Sequence, residues 1–113
     1  MLIMIAGPYT ANANTEEEKL KNLDIMNNAA YEVYKMGHIP IIGVHNGLPI
    51  IERAHVKSKE EYGKIMMDIC LELAERCDAI LLLKESPGAN MERDVFIKNG
   101  KSVYKTLEEI PKV

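Results

Sequence analysis

The strongest candidate for chemistry is the carboxylate of Glu92, in the segment SPGANMERDVF (86–96). If this segment is helical, a projection at about 100° per residue places Glu92 at the centre of an uncharged face. That face is made by Gly88, Ala89, Val95, Phe96 and Asn99. A carboxylate there must be paired, desolvated with a raised pKa, or open to a ligand cavity. The sequence therefore predicts a ligand-facing Glu92, and the alternative is a half-exposed carboxylate held by a nearby lysine.

The start of the same helix is a candidate ligand-binding element. Ser86 suits the N-cap and Pro87 the first helical position, followed by the small residues Gly88 and Ala89. Small residues leave backbone N–H groups accessible, and the helix dipole favours an anion at this end. We therefore predict that Ser86, Gly88 and Ala89 contact the ligand.

The loop GPYTANANT (7–15) is the second candidate. It matches neither a Walker loop nor the dinucleotide G-x-G-x-x-G pattern, and no lysine or arginine occurs before Lys19. Gly7 and Pro8 turn the chain off the first strand and are predicted to contact the substrate, and the turn brings Tyr9 to the strand's carboxyl end. Its hydroxyl could hydrogen-bond a carboxylate or a sugar; alternatively, Tyr9 packs on the edge of the sheet.

These residues are positioned by an alternation of apolar runs and helical segments. Thr15 and Ser58 are typical helix caps, and Gly37 follows the last periodic residue of the first helix. The predicted strands are 2–6, 38–44, 78–84 and 101–106, and the predicted helices are 15–36, 59–76 and 87–98. Residues 45–58 are predicted to form a long loop or a short irregular helix.

The order of these elements predicts an α/β fold in which a doubly wound parallel sheet of four to five strands carries helices on both faces. Ligands of such folds bind beyond the carboxyl ends of the strands, at the topological switch point. This rule selects residues 7–15, 44–58 and 84–90. At 113 residues the chain fits a single domain, 1–113.

Composition excludes several classes of function. The net charge is -3 and no basic run occurs, so nucleic-acid binding has no support. No signal-peptide pattern and no apolar stretch of the ~20 residues needed to cross a bilayer is found, which favours a cytoplasmic protein without a membrane partner. Cys70 and Cys77 are predicted to be buried free thiols, and the three histidines lack metal-site spacing, so we predict no metal.

Several stretches together resemble the nucleoside 2-deoxyribosyltransferase superfamily over nearly the whole chain. They are IAGPYT, GHIPIIGVH, CDAILLL and SPGANMERDVFIKNGKSVY, with Asn22 in the first helix. The resemblance is strongest to the small branch with GPY early and S-x-G-A-x-x-E late in the chain. It implies a flavodoxin-like fold, a homo-oligomer and no cofactor. It also implies cleavage or transfer at the N-glycosidic bond of a deoxynucleoside or its monophosphate.

The resemblance also assigns roles to residues. Glu92 would attack C1′ of the sugar and form a glycosyl-enzyme intermediate that a second base or water resolves. Tyr9 would orient Glu92, and Ser86 and Gly88 would hold the sugar or its 5′ group. Asp68 matches an aspartate near the sugar or base, although a helical projection puts it on the solvent face with Glu61, Lys64, Glu72 and Glu75.

Some positions stay open. His45 and Asn46 could reach the nucleobase from the loop after the second strand, or could simply be exposed. Relatives that act on monophosphates carry an arginine in the first loop, which this chain lacks, so a free nucleoside or another N-riboside fits equally well.

Three other classes of protein can be compared with these motifs. A nucleotide-binding or sensing module without turnover is the main alternative. A phosphoribohydrolase would require P-G-G-x-G-T-x-x-E, which SPGANME does not match, and GPYTANAN is a poor phosphate loop for a flavodoxin.

Overall fold

Four short apolar runs form a fully parallel sheet. The computed structural model describes residues 1–11 and 13–113. Its strands are β1 (Leu2–Ala6), β2 (Ile39–Ile41), β3 (Ala79–Leu82) and β4 (Ser102–Tyr104). Their spatial order is β2-β1-β3-β4, with every pair parallel. This order and the helices on both faces make the fold flavodoxin-like and doubly wound, as the sequence predicted.

Three of the four α-helices begin at the predicted caps. The helices are α1 (Glu16–Lys35), α2 (Gly43–Arg53), α3 (Lys59–Arg76) and α4 (Pro87–Lys98), and a 3-10 turn follows at Leu107–Glu109. The side-chain oxygens of Thr15, Ser58 and Ser86 each accept a hydrogen bond, 3.1 Å long, from the backbone N–H three residues later. Each cap satisfies an N–H that the helix itself leaves unpaired.

The sheet is buried on both faces. Ile3, Ile5, Ala79 and Leu81 pack with the buried residues Met26, Ala29 and Val33 of α1. Met4, Ala6, Ile80 and Leu82 pack with residues of α3 and α4, including Ala74, Ala89 and Phe96. Because successive residues of a strand point to opposite faces, a strand covered on both sides must be apolar throughout. The unbroken apolar runs of β1 and β3 are explained in this way.

The segment after β2 differs from the prediction. The strand ends at Ile41 and a regular helix begins at Gly43, with Pro49 inside it. Glycines at 43 and 47 lie on one face of α2 and let it approach α3 closely. A Cβ on Gly43 would lie 2.5 Å from the sulfur of Cys70, and one on Gly47 would overlap Met66. The i, i+4 spacing of the two glycines is therefore a helix-packing signal. The sequence instead predicts Gly43 at the end of a strand and Gly47 in a long loop or a short irregular helix.

Both cysteines are buried and free, as predicted. Burial raises the pKa of the Cys70 thiol to about 12 and that of Cys77 to about 11. Thiols with such pKa values stay protonated and are poor nucleophiles.

Among the described residues, no helix combines the length and apolarity that a bilayer crossing requires.

Candidate functional site

A cavity of about 940 Å³ lies beyond the carboxyl ends of β1 and β3. These are neighbouring strands, paired at Ala6 and Leu82, and the chain leaves them towards opposite faces of the sheet. The cavity is lined by residues of all three predicted segments and by one face of α3. Within the first segment, Asn12 lies outside the described residues. The cavity therefore occupies the topological switch point, where this class of fold binds ligands.

Glu92 is a buried carboxylate in the wall of this cavity. It is 8% exposed and makes no hydrogen bond or ion pair with another described residue. Burial raises its pKa to about 8. Of the environments that the sequence allowed, the structure shows the desolvated, cavity-facing one, because no described lysine or arginine pairs with the carboxylate.

The start of α4 lines the cavity with Ser86, Gly88 and Ala89. The N–H of Ala89 donates to Ser86 Oγ (3.1 Å), and the N–H of Asn90 donates to the Ser86 carbonyl oxygen (2.8 Å). Pro87 has no N–H. Among the first residues of the helix, only the N–H of Gly88 has no acceptor in the described part of the chain. This end of the cavity therefore has fewer free N–H donors than the sequence predicted, because Ser86 accepts hydrogen bonds from two of them.

The first loop contributes Gly7 and Tyr9 to the lining, whereas Pro8 does not reach it. The backbone carbonyl of Tyr9 accepts a hydrogen bond from the Asn22 side-chain amide at 2.9 Å. Asn22 is therefore more than an exposed helix amide, since it ties the loop to α1. The Tyr9 hydroxyl and Glu92 share the cavity without a hydrogen bond between them.

Three other predicted residues lie outside the cavity lining. Asp68 is exposed, and its carboxylate pairs with Lys64 at 2.7 Å, on the face that the helical projection indicated. His45 lies in the first turn of α2, where its Nε2 donates to Asn27 Oδ1 at 2.7 Å. Asn46 is exposed beside it. Because α2 begins at Gly43, these two residues lie on a regular helix instead of a loop that could bend over the ligand.

Tyr62 of α3 is a cavity residue that the sequence did not single out as functional. Its hydroxyl is sealed from solvent and has no hydrogen-bond partner among the described residues. Burial, and then the nearby Tyr9 and Glu16, raise the pKa of this phenol, so it stays a neutral donor. Its position in the apolar stripe of α3 gave no sign of this role.

The remaining lining includes two groups with no sequence signal. Met66, Met67 and Cys70 form an apolar part of the wall, and Lys19, Lys57 and Lys59 provide cations, with Glu52 as a second carboxylate. Over residues 1–11 and 13–113, no group of three or more His, Cys, Asp or Glu side chains is arranged to hold a metal ion.

The fold and cavity define a flavodoxin-like α/β protein with a cavity at its switch point. Residues 1–105 match the family described as a domain of unknown function, DUF4406, and the chain belongs to that family. No curated protein and no solved structure matches the chain significantly.

Proposed function

We propose that this protein cleaves or transfers at the N-glycosidic bond of a (deoxy)nucleoside or nucleoside monophosphate, with Glu92 as nucleophile. The observation that supports this most is the Glu92 carboxylate, which has no partner among the described residues and is buried in the wall of a cavity large enough for such a ligand. Burying an unpaired carboxylate is costly, so its presence there calls for a functional reason.

The chemistry needs the ionised form of Glu92. One carboxylate oxygen attacks C1′, and the C1′–N bond breaks with its electron pair leaving on the base, which takes up a proton. Water or a second base then attacks C1′ from the opposite face, which restores the original configuration and frees Glu92. Water as acceptor makes the protein a hydrolase, and a second base makes it a transferase.

Tyr9 and the start of α4 support this proposal by their placement. Tyr9 lines the same cavity, and we propose that its hydroxyl donates to a Glu92 oxygen when ligand is bound, which would favour the ionised form. Gly88 lies about one turn and Ser86 nearly two turns before Glu92 on the cavity side, where a sugar attacked by the carboxylate would rest. We propose that they hold its hydroxyl groups. We further propose that the protein acts in the cytoplasm as a homo-oligomer.

A binding or sensing module is the second candidate. It is favoured by Asp68, which pairs with Lys64 outside the cavity, and by the raised pKa of Glu92, which keeps most of this carboxyl neutral near pH 7. A neutral carboxyl can donate a hydrogen bond to a ligand but cannot attack it.

A panel of nucleosides and monophosphates, incubated with and without a second base, separates these functions. Free base without exchange indicates a hydrolase, and exchanged base indicates a transferase. Tight binding without either product supports the sensing module. Glu92→Gln should abolish turnover, while Asp94→Asn is the matched control, since it removes an exposed carboxylate on the same helix. Full activity in Glu92→Gln would disprove the nucleophile.

A further inference from the structure

The charged side chains that line the cavity carry a net positive charge, whereas the whole chain carries a net negative charge. The chain carries a net charge of -3, yet the lining includes Lys19, Lys57 and Lys59 against the carboxyls of Glu52 and Glu92. Because burial keeps Glu92 largely protonated at neutral pH, Glu52 is the main negative charge in the lining. The cavity is therefore a locally cationic region of an acidic protein, which attracts anions.

Lys57 and Lys59 lie at positions where their positive charges do not stabilise their own helix, α3. They flank Ser58, the N-cap of α3, and the helix dipole disfavours positive charge at that end. At the start of α1 three glutamates follow the cap, and in the first turn of α3 Glu60 and Glu61 follow Lys59. Both lysines are exposed, and neither forms an ion pair or hydrogen bond with a described residue. Their ammonium groups are thus free for a ligand.

The other end of the cavity is poor in donors for an anion. At the start of α4, the capping interactions of Ser86 occupy the N–H groups of Ala89 and Asn90, and Pro87 has none. A phosphate at this end would meet the Gly88 N–H, the Ser86 hydroxyl and the neighbouring Glu92. The lysines are the better-matched partners for a group with several acceptor oxygens and a full negative charge.

The two ends of the cavity are connected by α3. Gly88 lies near the side chain of Met67, which is eight residues along α3 from Lys59. Eight residues of helix span about 12 Å, so the lysines and the start of α4 lie at separate ends of the same cavity.

We propose that Lys57 and Lys59, assisted by Lys19, bind the phosphoryl group of a nucleotide substrate whose sugar lies at Glu92. The inference rests on the proposed function and deepens it, because it selects nucleotides over free nucleosides. Lys19 has a smaller part, since it also pairs with Glu16 at 3.1 Å.

Titration calorimetry on the full-length protein tests this with inorganic pyrophosphate, and with each nucleoside beside its 5′-monophosphate. Lys57→Gln/Lys59→Gln should weaken pyrophosphate and monophosphate binding by about tenfold or more, as expected when two charge-assisted hydrogen bonds are lost. Nucleoside binding should change by less than about twofold. The control Lys21→Gln/Lys112→Gln removes the same charge from exposed sites outside the cavity lining and should bind like the wild type.

The lysine variant should fold normally, because neutralising a charge at the start of a helix is not destabilising; the two single variants should show intermediate losses. An unchanged affinity for pyrophosphate in the double variant, or a wild type that does not prefer the phosphorylated ligand, overturns the proposal. If Glu92→Gln stops turnover while the lysine variant retains full affinity, the phosphate site fails and the proposed function stands. If the lysine variant loses pyrophosphate binding but no nucleotide is cleaved, the phosphate site stands and the proposed function fails.

Discussion

Glu92 and Asp68 are two helix carboxylates, 24 residues apart, that live in opposite environments. Glu92 is 8% exposed, faces the cavity and has no partner in the described part of the chain, whereas the Asp68 side chain is 64% exposed and paired with Lys64. Resemblance to the deoxyribosyltransferases gave both of them a place in the site. The difference shows that the environment of a carboxylate, more than its match to a motif, determines what chemistry it can perform.

The largest expected difference between the two carboxylates is in turnover. Glu92→Gln should lower kcat on the order of 10³-fold or more, because it removes the attacking atom. Asp68→Asn should change kcat by less than about threefold, since the side chain points to solvent. Initial rates of base release measure both. A large loss in Asp68→Asn would break the comparison and indicate that Asp68 serves the cavity of a neighbouring subunit.

The pH dependence of kcat/KM should follow the ionisation of Glu92. The attacking carboxylate must be ionised, and burial raises its pKa to about 8 in the free protein. The rate should therefore rise about tenfold per pH unit up to about pH 8 and level off above it. The control Asp68→Asn should retain the same profile. A rate that is flat from pH 6 to 9 would show that another group limits the reaction.

Stability should respond to pH through Glu92 as well. The unfolded chain loses this proton near pH 4.5 and the folded one near pH 8, so the folded state binds more protons in between. The free energy of unfolding should therefore decrease as the pH rises from about 4.5 to about 8. Glu92 should contribute at most about 5 kcal/mol to this decrease.

Urea unfolding of Glu92→Gln measures this effect. The variant should match the wild type near pH 4 and exceed it increasingly up to pH 8. Asp68→Asn should follow the wild type at every pH, because exposed ion pairs contribute little. A Glu92→Gln variant less stable than the wild type at pH 8 would mean that the native carboxylate has a partner.

A smaller effect is expected at Tyr62, a second polar group of the same wall that has no partner among residues 1–11 and 13–113. Tyr62→Phe should raise the free energy of unfolding by about 1 kcal/mol, because it removes a buried hydroxyl for which those residues provide no acceptor. Tyr34→Phe, at an exposed position on α1, is the matched control and should be neutral. Destabilisation in Tyr62→Phe would show that its hydroxyl is hydrogen-bonded in solution.

Local signals were sufficient for most of the fold. Thr15, Ser58 and Ser86 cap their helices as predicted, since N-capping depends on residues only three positions apart. The apolar strands and their parallel order followed from burial on both faces. The regular helix from Gly43 differs from the predicted loop or short irregular helix because glycines and Pro49 usually break helices. Close packing against α3 explains the two glycines.

The candidate site was less accessible to sequence reasoning. Glu92 was identified because its isolation on an uncharged helix face is a periodic pattern, and its burial confirms the projection. Tyr62 and Lys57 carried no such pattern, since their place in the cavity depends on how α3 packs beside α2 and the first loop. The spacing of residues in the sequence does not indicate which side chains meet only through tertiary packing.

Chemical labelling of the two buried thiols can measure the conformational opening of this protein. Cys70 and Cys77 are buried, and burial raises the pKa of their thiols to about 12 and 11, so an alkylating reagent should react with them mainly when the structure around them opens. Cys70 lines the cavity wall, whereas Cys77 packs in the core with Ile80 and Phe96. A ligand held in the cavity should therefore slow the labelling of Cys70 more than that of Cys77, so mass spectrometry can map occupancy without an engineered probe.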